Sequence, residues 1–219
     1  MSKPPQTAPK RPLPRLYLVT PQVTDAQSFA RDLAEVLAAA DIAAVLLRLA
    51  PADERTAINR VKALAPIVQR KDTALVLDGN PEIVAHGGAD GAHLTGIEAF
   101  LEALDTLKPD RIVGCGGLHT RHDAMHAAER GADYVLFGEP ERDGQRPSFE
   151  AIVERIGWWA EVFEIPCVGY AANRDEIAPL VKAGADFVAA GDFIWADARG
   201  PATAIAEAAK RLAQAEEVA

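Results

Sequence analysis

Apolar runs of strand length alternate along this chain with segments that have the spacing of amphipathic helices. The runs predict eight strands, at residues 16–20, 43–49, 73–78, 91–94, 111–115, 134–138, 167–170 and 187–191. The segments with helical spacing predict eight helices, at residues 25–39, 53–69, 81–85, 97–107, 121–130, 149–163, 175–182 and 202–215. Strand and helix therefore alternate eight times.

A Gly-Ala-Asp phrase recurs where a helical segment ends and an apolar run begins, starting at Gly88, Gly131 and Gly184. Glycine suits the left-handed residue just past a helix, and aspartate can turn the backbone with its side chain. A repeated helix-to-strand junction indicates a repeated βα unit and a parallel sheet.

Eight βα units in this length predict a single α/β domain, a closed (β/α)₈ TIM barrel that spans residues 15–219. The alternative is an open doubly wound sheet, which usually has five or six strands and a glycine-rich phosphate turn after the first. Here Thr20 and Pro21 follow the first strand instead, which favours the barrel. Residues 1–14, with five prolines, are predicted to form a disordered tail.

The composition narrows the range of partners. The 219 residues are 49% apolar, enough for one large core. The 23 basic and 32 acidic residues give a net charge of −9, which argues against nucleic acid or a membrane surface and favours a small-molecule ligand. Cys115 and Cys167 lie in apolar runs and are expected to be buried thiols rather than a disulfide, so the predicted location is the cytoplasm.

Residues 16–20 read Leu-Tyr-Leu-Val-Thr, residues 88–94 read Gly-Ala-Asp-Gly-Ala-His-Leu, and residues 131–135 read Gly-Ala-Asp-Tyr-Val. These three motifs resemble those of the thiamine phosphate synthases and their TenI-like relatives, which are barrels of this size. The resemblance covers nearly all of residues 15–195. It implies a reaction that joins a pyrimidine methyl pyrophosphate to a thiazole phosphate and releases pyrophosphate with the help of Mg²⁺.

The resemblance also implies roles for residues near the strand ends. Arg48, Asp78 and His119 would be catalytic, and Asp78 with Glu98 would hold Mg²⁺ through carboxylate oxygens. Seven further residues are expected to bind substrate: Tyr17, His93, Gly138, Arg142, Ala171, Ala172 and Asp192.

Departures from the family pattern fall where the thiazole phosphate would bind. Family members have a Gly-Gly turn after the seventh strand and a serine after the eighth, whereas this chain has Ala171-Ala172 and Asp192. A Cβ at such a turn obstructs phosphate, and an ionised aspartate repels it. The expectation is a divergent member with a degraded phosphate site.

Two other functions remain open. The first is a TenI-like thiazole tautomerase in which His119 transfers the proton, since imidazole titrates near neutral pH. The second is a non-catalytic or regulatory relative that only binds a small molecule.

Two features of the predicted helices have other interpretations. His122 and His126 share a helix face, but without a third ligand they are interpreted as a solvated surface rather than a zinc site. The Trp158-Trp159 pair is interpreted as a packing or subunit face, which makes a homodimer one interpretation of the assembly.

Overall fold

The computed structural model describes residues 12–141 and 143–216, in which eight parallel strands form a closed barrel in chain order. The strands are β1 (Arg15–Val19), β2 (Ile42–Leu47), β3 (Ala74–Asp78), β4 (Gly91–Thr95), β5 (Ile112–Gly116), β6 (Tyr134–Phe137), β7 (Cys167–Ala171) and β8 (Phe187–Ala190). The predicted (β/α)₈ barrel is confirmed. Most of the predicted tail, residues 1–11, lies outside the described residues.

Helices cover the outside of the barrel. They are α1 (Ala26–Ala39), α2 (Glu54–Val68), α3 (Val84–Gly87), α4 (Ile97–Leu107), α5 (Arg121–Glu129), α6 (Phe149–Val162), α7 (Ile177–Ala183), α8 (Asp192–Trp195) and α9 (Pro201–Glu216). The short helix α8 was not predicted, and it fixes the loop after β8 because Trp195 donates a 2.7 Å hydrogen bond to the Val19 carbonyl. No helix in residues 12–141 and 143–216 is long and apolar enough to cross a membrane.

The three Gly-Ala-Asp phrases connect a helix to the next strand of the barrel. Their glycines have φ angles of +80°, +92° and +99°, the left-handed conformation that ends a helix. Each aspartate accepts a hydrogen bond from a backbone N–H of the preceding strand: Asp90 from Leu75 at 2.7 Å, Asp133 from Val113 at 2.7 Å, and Asp186 from Cys167 at 2.8 Å. The repeated phrase therefore ties neighbouring strands together at their amino ends.

Two separate cores follow from the alternation of side chains along the strands. One set packs between sheet and helices, and it includes both free cysteines, Cys115 and Cys167, as predicted. The other set fills the barrel interior: Tyr17, Val19, Leu46, Val76, Tyr134, Leu136, Val168, Tyr170 and Ala189. The interior set fixes which residues near the strand ends face the barrel mouth.

The two adjacent tryptophans on α6 have different environments. Trp159 is fully buried and donates to the Ile165 carbonyl at 2.8 Å, whereas Trp158 is half-buried beneath the guanidinium of Arg121, 4.7 Å from the ring centre. Both contacts lie within one chain, and the homodimer stays a prediction.

Candidate active site

The carboxyl ends of the strands gather a small set of polar side chains at the barrel mouth. Arg48 follows Leu46 by two positions and Asp78 follows Val76 by two, so strand alternation turns both toward the interior. Asp78 is paired with His93 in the ladder between β3 and β4. Arg48 and Asp78 therefore face the same end of the barrel.

The floor of the mouth is a chain of hydrogen bonds between buried groups. The hydroxyls of Tyr17 and Tyr134 lie 2.7 Å apart, and the Tyr134 hydroxyl lies 3.1 Å from Nδ1 of His93, whose ring stacks on that of Tyr134. Burial lowers the pKa of His93 to about 4 and raises the pKa of both tyrosines. At neutral pH the floor is an uncharged polar platform.

Glu139 places a carboxyl group directly above this floor. Its Oε1 accepts a short hydrogen bond from the Gly117 backbone N–H. A Cβ on residue 116 would lie 2.1 Å from Glu139 Oε1 and 2.6 Å from His93 Nε2, so the space that holds both groups requires Gly116. Burial raises the pKa of Glu139 from the usual 4.5 to about 7, and the negative charge of Asp78 adds to this increase.

Asp78 provides a second carboxylate at the mouth, half-buried at the end of β3. Its charge raises the pKa of Tyr17, Tyr134 and Glu139, which places it within electrostatic reach of all three. Glu98, the other predicted metal ligand, is exposed in the first turn of α4. Across the described ranges, no three metal-ligating side chains come together.

Arg48 and Asp192 form an ion pair across the mouth. The guanidinium donates to the Thr20 carbonyl at 2.6 Å and to Asp192 Oδ1 at 3.0 Å. Asp192 is 73% exposed and Arg48 is 26% exposed, so the pair lies at the rim, within reach of solvent. Both charges act on the buried Tyr170, whose pKa burial raises.

Another carboxylate, Glu176, lies in the turn that follows β7. It accepts hydrogen bonds from the Ala172 backbone N–H at 2.8 Å, from the Asn173 amide at 3.3 Å and from the Arg146 guanidinium at 3.0 Å. The side chains of Arg146 and Glu176 are both largely buried. Three donors from two loops thus converge on a carboxylate of the chain itself.

The other predicted site residues lie farther from this centre. His119 is 70% exposed in the loop after β5, with Nδ1 3.9 Å from the carboxylate of Glu141. Ala171 is the last residue of β7, and its side chain packs in the outer core rather than in the mouth. Arg142 lies outside the described residues.

The comparisons with known proteins give the family. Residues 16–194 match the family model described as thiamine monophosphate synthase. A thiamine-phosphate synthase of Rhodospirillum centenum is 42% identical over 196 residues, which cover 88% of this chain and 95% of the relative. The chain belongs to the thiamine monophosphate synthase family. A second relative of the same name, from Hyphomonas neptunium, is 35% identical over 91% of this chain and 94% of its own length.

Solved structures agree on the fold. The thiamine phosphate pyrophosphorylase of Pyrococcus furiosus matches with a TM-score of 0.74 at 22% identity, over 92% of this chain and 96% of that chain. A 3-hexulose-6-phosphate synthase from Salmonella typhimurium matches with a TM-score of 0.71 at 14% identity, over 91% and 99%. Structures with different names share this barrel, so the fold by itself does not assign the reaction.

Two residues at the mouth of this thiamine monophosphate synthase family member, Tyr134 and Glu139, were assigned no role from the sequence. Tyr134 follows a Gly-Ala-Asp phrase and is the first inward-facing residue of β6. Strand alternation would have placed its side chain in the barrel interior. Glu139 gives no such signal, because Gly138 has φ +92° and a Cβ there would meet Ile152 on α6. The glycine interrupts the alternation, and Glu139 turns back into the barrel.

Proposed function

We propose that this protein is a transferase that joins a pyrimidine methyl pyrophosphate to a thiazole phosphate and releases pyrophosphate. The observation that carries the proposal is the 42% identity to a relative named thiamine-phosphate synthase, which extends over 95% of that relative. The mouth offers suitable chemistry: a guanidinium to bind a phosphate and carboxylates to bind a divalent cation.

The leaving pyrophosphate requires positive charge. Asp78 would hold Mg²⁺, with Glu98 as a second ligand, because this cation prefers carboxylate oxygens and keeps several positions for water and substrate phosphates. The donor chemistry fits, since a cation at Asp78 would relieve the repulsion that Asp78 exerts on Glu139. Bound there, the ion supplies positive charge to the departing pyrophosphate. Arg48 would donate hydrogen bonds to the same group.

We also propose that the site for the thiazole phosphate is degraded. The Ala172 N–H, which could bind phosphate, already donates to Glu176, and Asp192 lies after the neighbouring strand. A carboxylate about 4 Å from a phosphate charge costs roughly 1 to 4 kcal/mol, depending on the effective dielectric constant. The expected consequence is a high KM for the thiazole phosphate.

Replacing Asp78 tests the proposed reaction. Asp78→Asn keeps the shape and removes the charge, so we expect kcat for thiamine phosphate formation with Mg²⁺ to fall on the order of 100-fold. The matched control is Asp72→Asn, which lies beyond the opposite end of β3, is exposed and has the left-handed conformation that asparagine tolerates. Full activity in Asp78→Asn would contradict the assigned role.

Replacing Glu176 tests the degraded site separately. Glu176→Ala frees the Ala172 N–H and the Arg146 guanidinium, so we expect the KM for the thiazole phosphate to fall by about 10-fold, the equivalent of about 1.4 kcal/mol. The control is Asp175→Ala, which removes an exposed neighbouring carboxylate that pairs with Arg211. An unchanged or higher KM in Glu176→Ala would show that Glu176 does not obstruct phosphate.

The TenI-like tautomerase receives no comparable support. That function would depend on His119, whose side chain is 70% exposed and outside the buried floor of the mouth. We therefore propose only the transferase.

A further inference from the structure

Glu139 is half-buried at the mouth and is not among the residues proposed above to hold Mg²⁺ or pyrophosphate. Beside its carboxyl group lie His93 on β4, Gly116 at the end of β5 and the following Gly117, an uncharged imidazole and two glycines. The charged side chain with a resolved effect on its pKa is Asp78, which is also a carboxylate. Glu139 therefore adds to a negative region inside the barrel.

Two basic groups at the mouth are paired with carboxylates. Arg48 bonds to the Thr20 carbonyl and to Asp192, next to β1 and β8. Arg146 bonds to Glu176 and to the Tyr170 carbonyl, next to β7. Both of these guanidinium groups are thus paired with carboxylates other than Glu139, and the charges of Arg48, Arg146 and Glu139 all act on the pKa of Tyr170.

The proposed reaction develops positive charge on the pyrimidine, which nearby carboxylates would stabilise. The bond between the pyrimidine methylene carbon and the pyrophosphate oxygen breaks, and its electron pair leaves with pyrophosphate. The thiazole nitrogen then uses its lone pair to form the new carbon–nitrogen bond. Between these events the methylene carbon and the pyrimidine ring carry positive charge. A preorganised carboxylate stabilises such a charge most strongly in a site that excludes water.

We propose that Glu139 is a catalytic residue that contacts the pyrimidine and stabilises positive charge on its methylene carbon during the transfer. This inference rests on the proposed function. Gly116 makes the arrangement available, because any side chain at residue 116 would enter the space of the Glu139 carboxyl group. The Gly117 N–H holds the carboxyl group toward the interior.

The kinetic test compares Glu139→Gln with the wild type. Glutamine keeps the volume and an oxygen for the Gly117 N–H but has no charge, so we expect kcat to fall on the order of 100-fold while the KM for the pyrimidine pyrophosphate changes by less than about threefold. The control is Glu141→Gln, an exposed loop residue two positions along. Circular dichroism and thermal unfolding establish that each variant is folded. An unchanged kcat in Glu139→Gln overturns the proposal.

A binding test makes the result independent of turnover. A pyrimidine with a methylamine in place of the methyl pyrophosphate has an ammonium next to the reacting carbon, and the pyrimidine methanol is its neutral counterpart. Calorimetry is expected to show that the wild type prefers the ammonium by about 10-fold and that Glu139→Gln loses this preference. An equal preference in both proteins, or none in the wild type, overturns the proposal. A wild type that shows the preference but forms no product contradicts only the proposed function.

Discussion

Replacing Glu139 with glutamine is expected to make stability less dependent on pH. In the folded protein, burial raises the pKa of this carboxyl group from the usual 4.5 to about 7. The folded state therefore holds the proton more tightly than the unfolded state. The stability from this group is fully present below pH 4.5 and is lost as the pH rises through 7.

The magnitude follows from the size of that shift. One pKa unit corresponds to 1.36 kcal/mol, so a shift from 4.5 to about 7 amounts to about 3 kcal/mol in full. Most of this loss falls between pH 5 and pH 8. Because glutamine cannot ionise, the free energy of unfolding of Glu139→Gln minus that of the wild type should rise by about 2 to 3 kcal/mol across this range.

Urea denaturation at pH 5, 6, 7 and 8 in the absence of Mg²⁺ measures this difference. Subtracting the wild type cancels the titration of the groups that are not coupled to Glu139. The control is Glu102→Gln, an exposed glutamate on α4, for which we expect the same small difference at every pH. A constant difference for Glu139→Gln as well would refute the argument that burial disfavours the charge of Glu139.

Two further predictions concern the scaffold. Trp159→Ala removes a fully buried ring that stacks on Phe163 and should lower the free energy of unfolding by roughly 3 to 5 kcal/mol. Trp158→Ala should lower it by less, and urea denaturation of both variants checks this ordering. Thr120→Ala removes the capping box of α5, in which the side chains of Thr120 and Asp123 each accept a hydrogen bond from the other residue's backbone N–H. The substitution should lower the free energy of unfolding by about 1 kcal/mol, and an unchanged thermal midpoint would contradict this expectation.

The sequence predicts the scaffold well because its signals are local and repeated. Each Gly-Ala-Asp phrase combines a left-handed glycine with an aspartate that bonds to the preceding strand, and these contacts recur at three junctions. Period-two alternation also places Arg48 and Asp78 at the mouth, since both continue the inward-facing side of a regular strand. The fold and part of the candidate site are therefore accessible from short-range pattern.

The rest of the site depends on features that the pattern does not contain. Glu139 faces the interior only because Gly138 leaves the strand with φ +92°, a backbone conformation that the sequence does not specify. Glu176 in the turn after β7 is paired with Arg146, which lies 30 positions away in the chain. The pairing of Arg48 with Asp192 joins residues 144 positions apart, which barrel closure brings together.

Turnover by the purified wild-type protein tests the proposed function most directly. The protein is incubated with Mg²⁺, the pyrimidine methyl pyrophosphate and increasing amounts of thiazole phosphate, and both thiamine phosphate and pyrophosphate are quantified. We expect the two products in equal amounts, with a rate that still rises at high thiazole phosphate concentration. No thiamine phosphate at high protein concentration, or pyrophosphate released without it, would contradict the proposal.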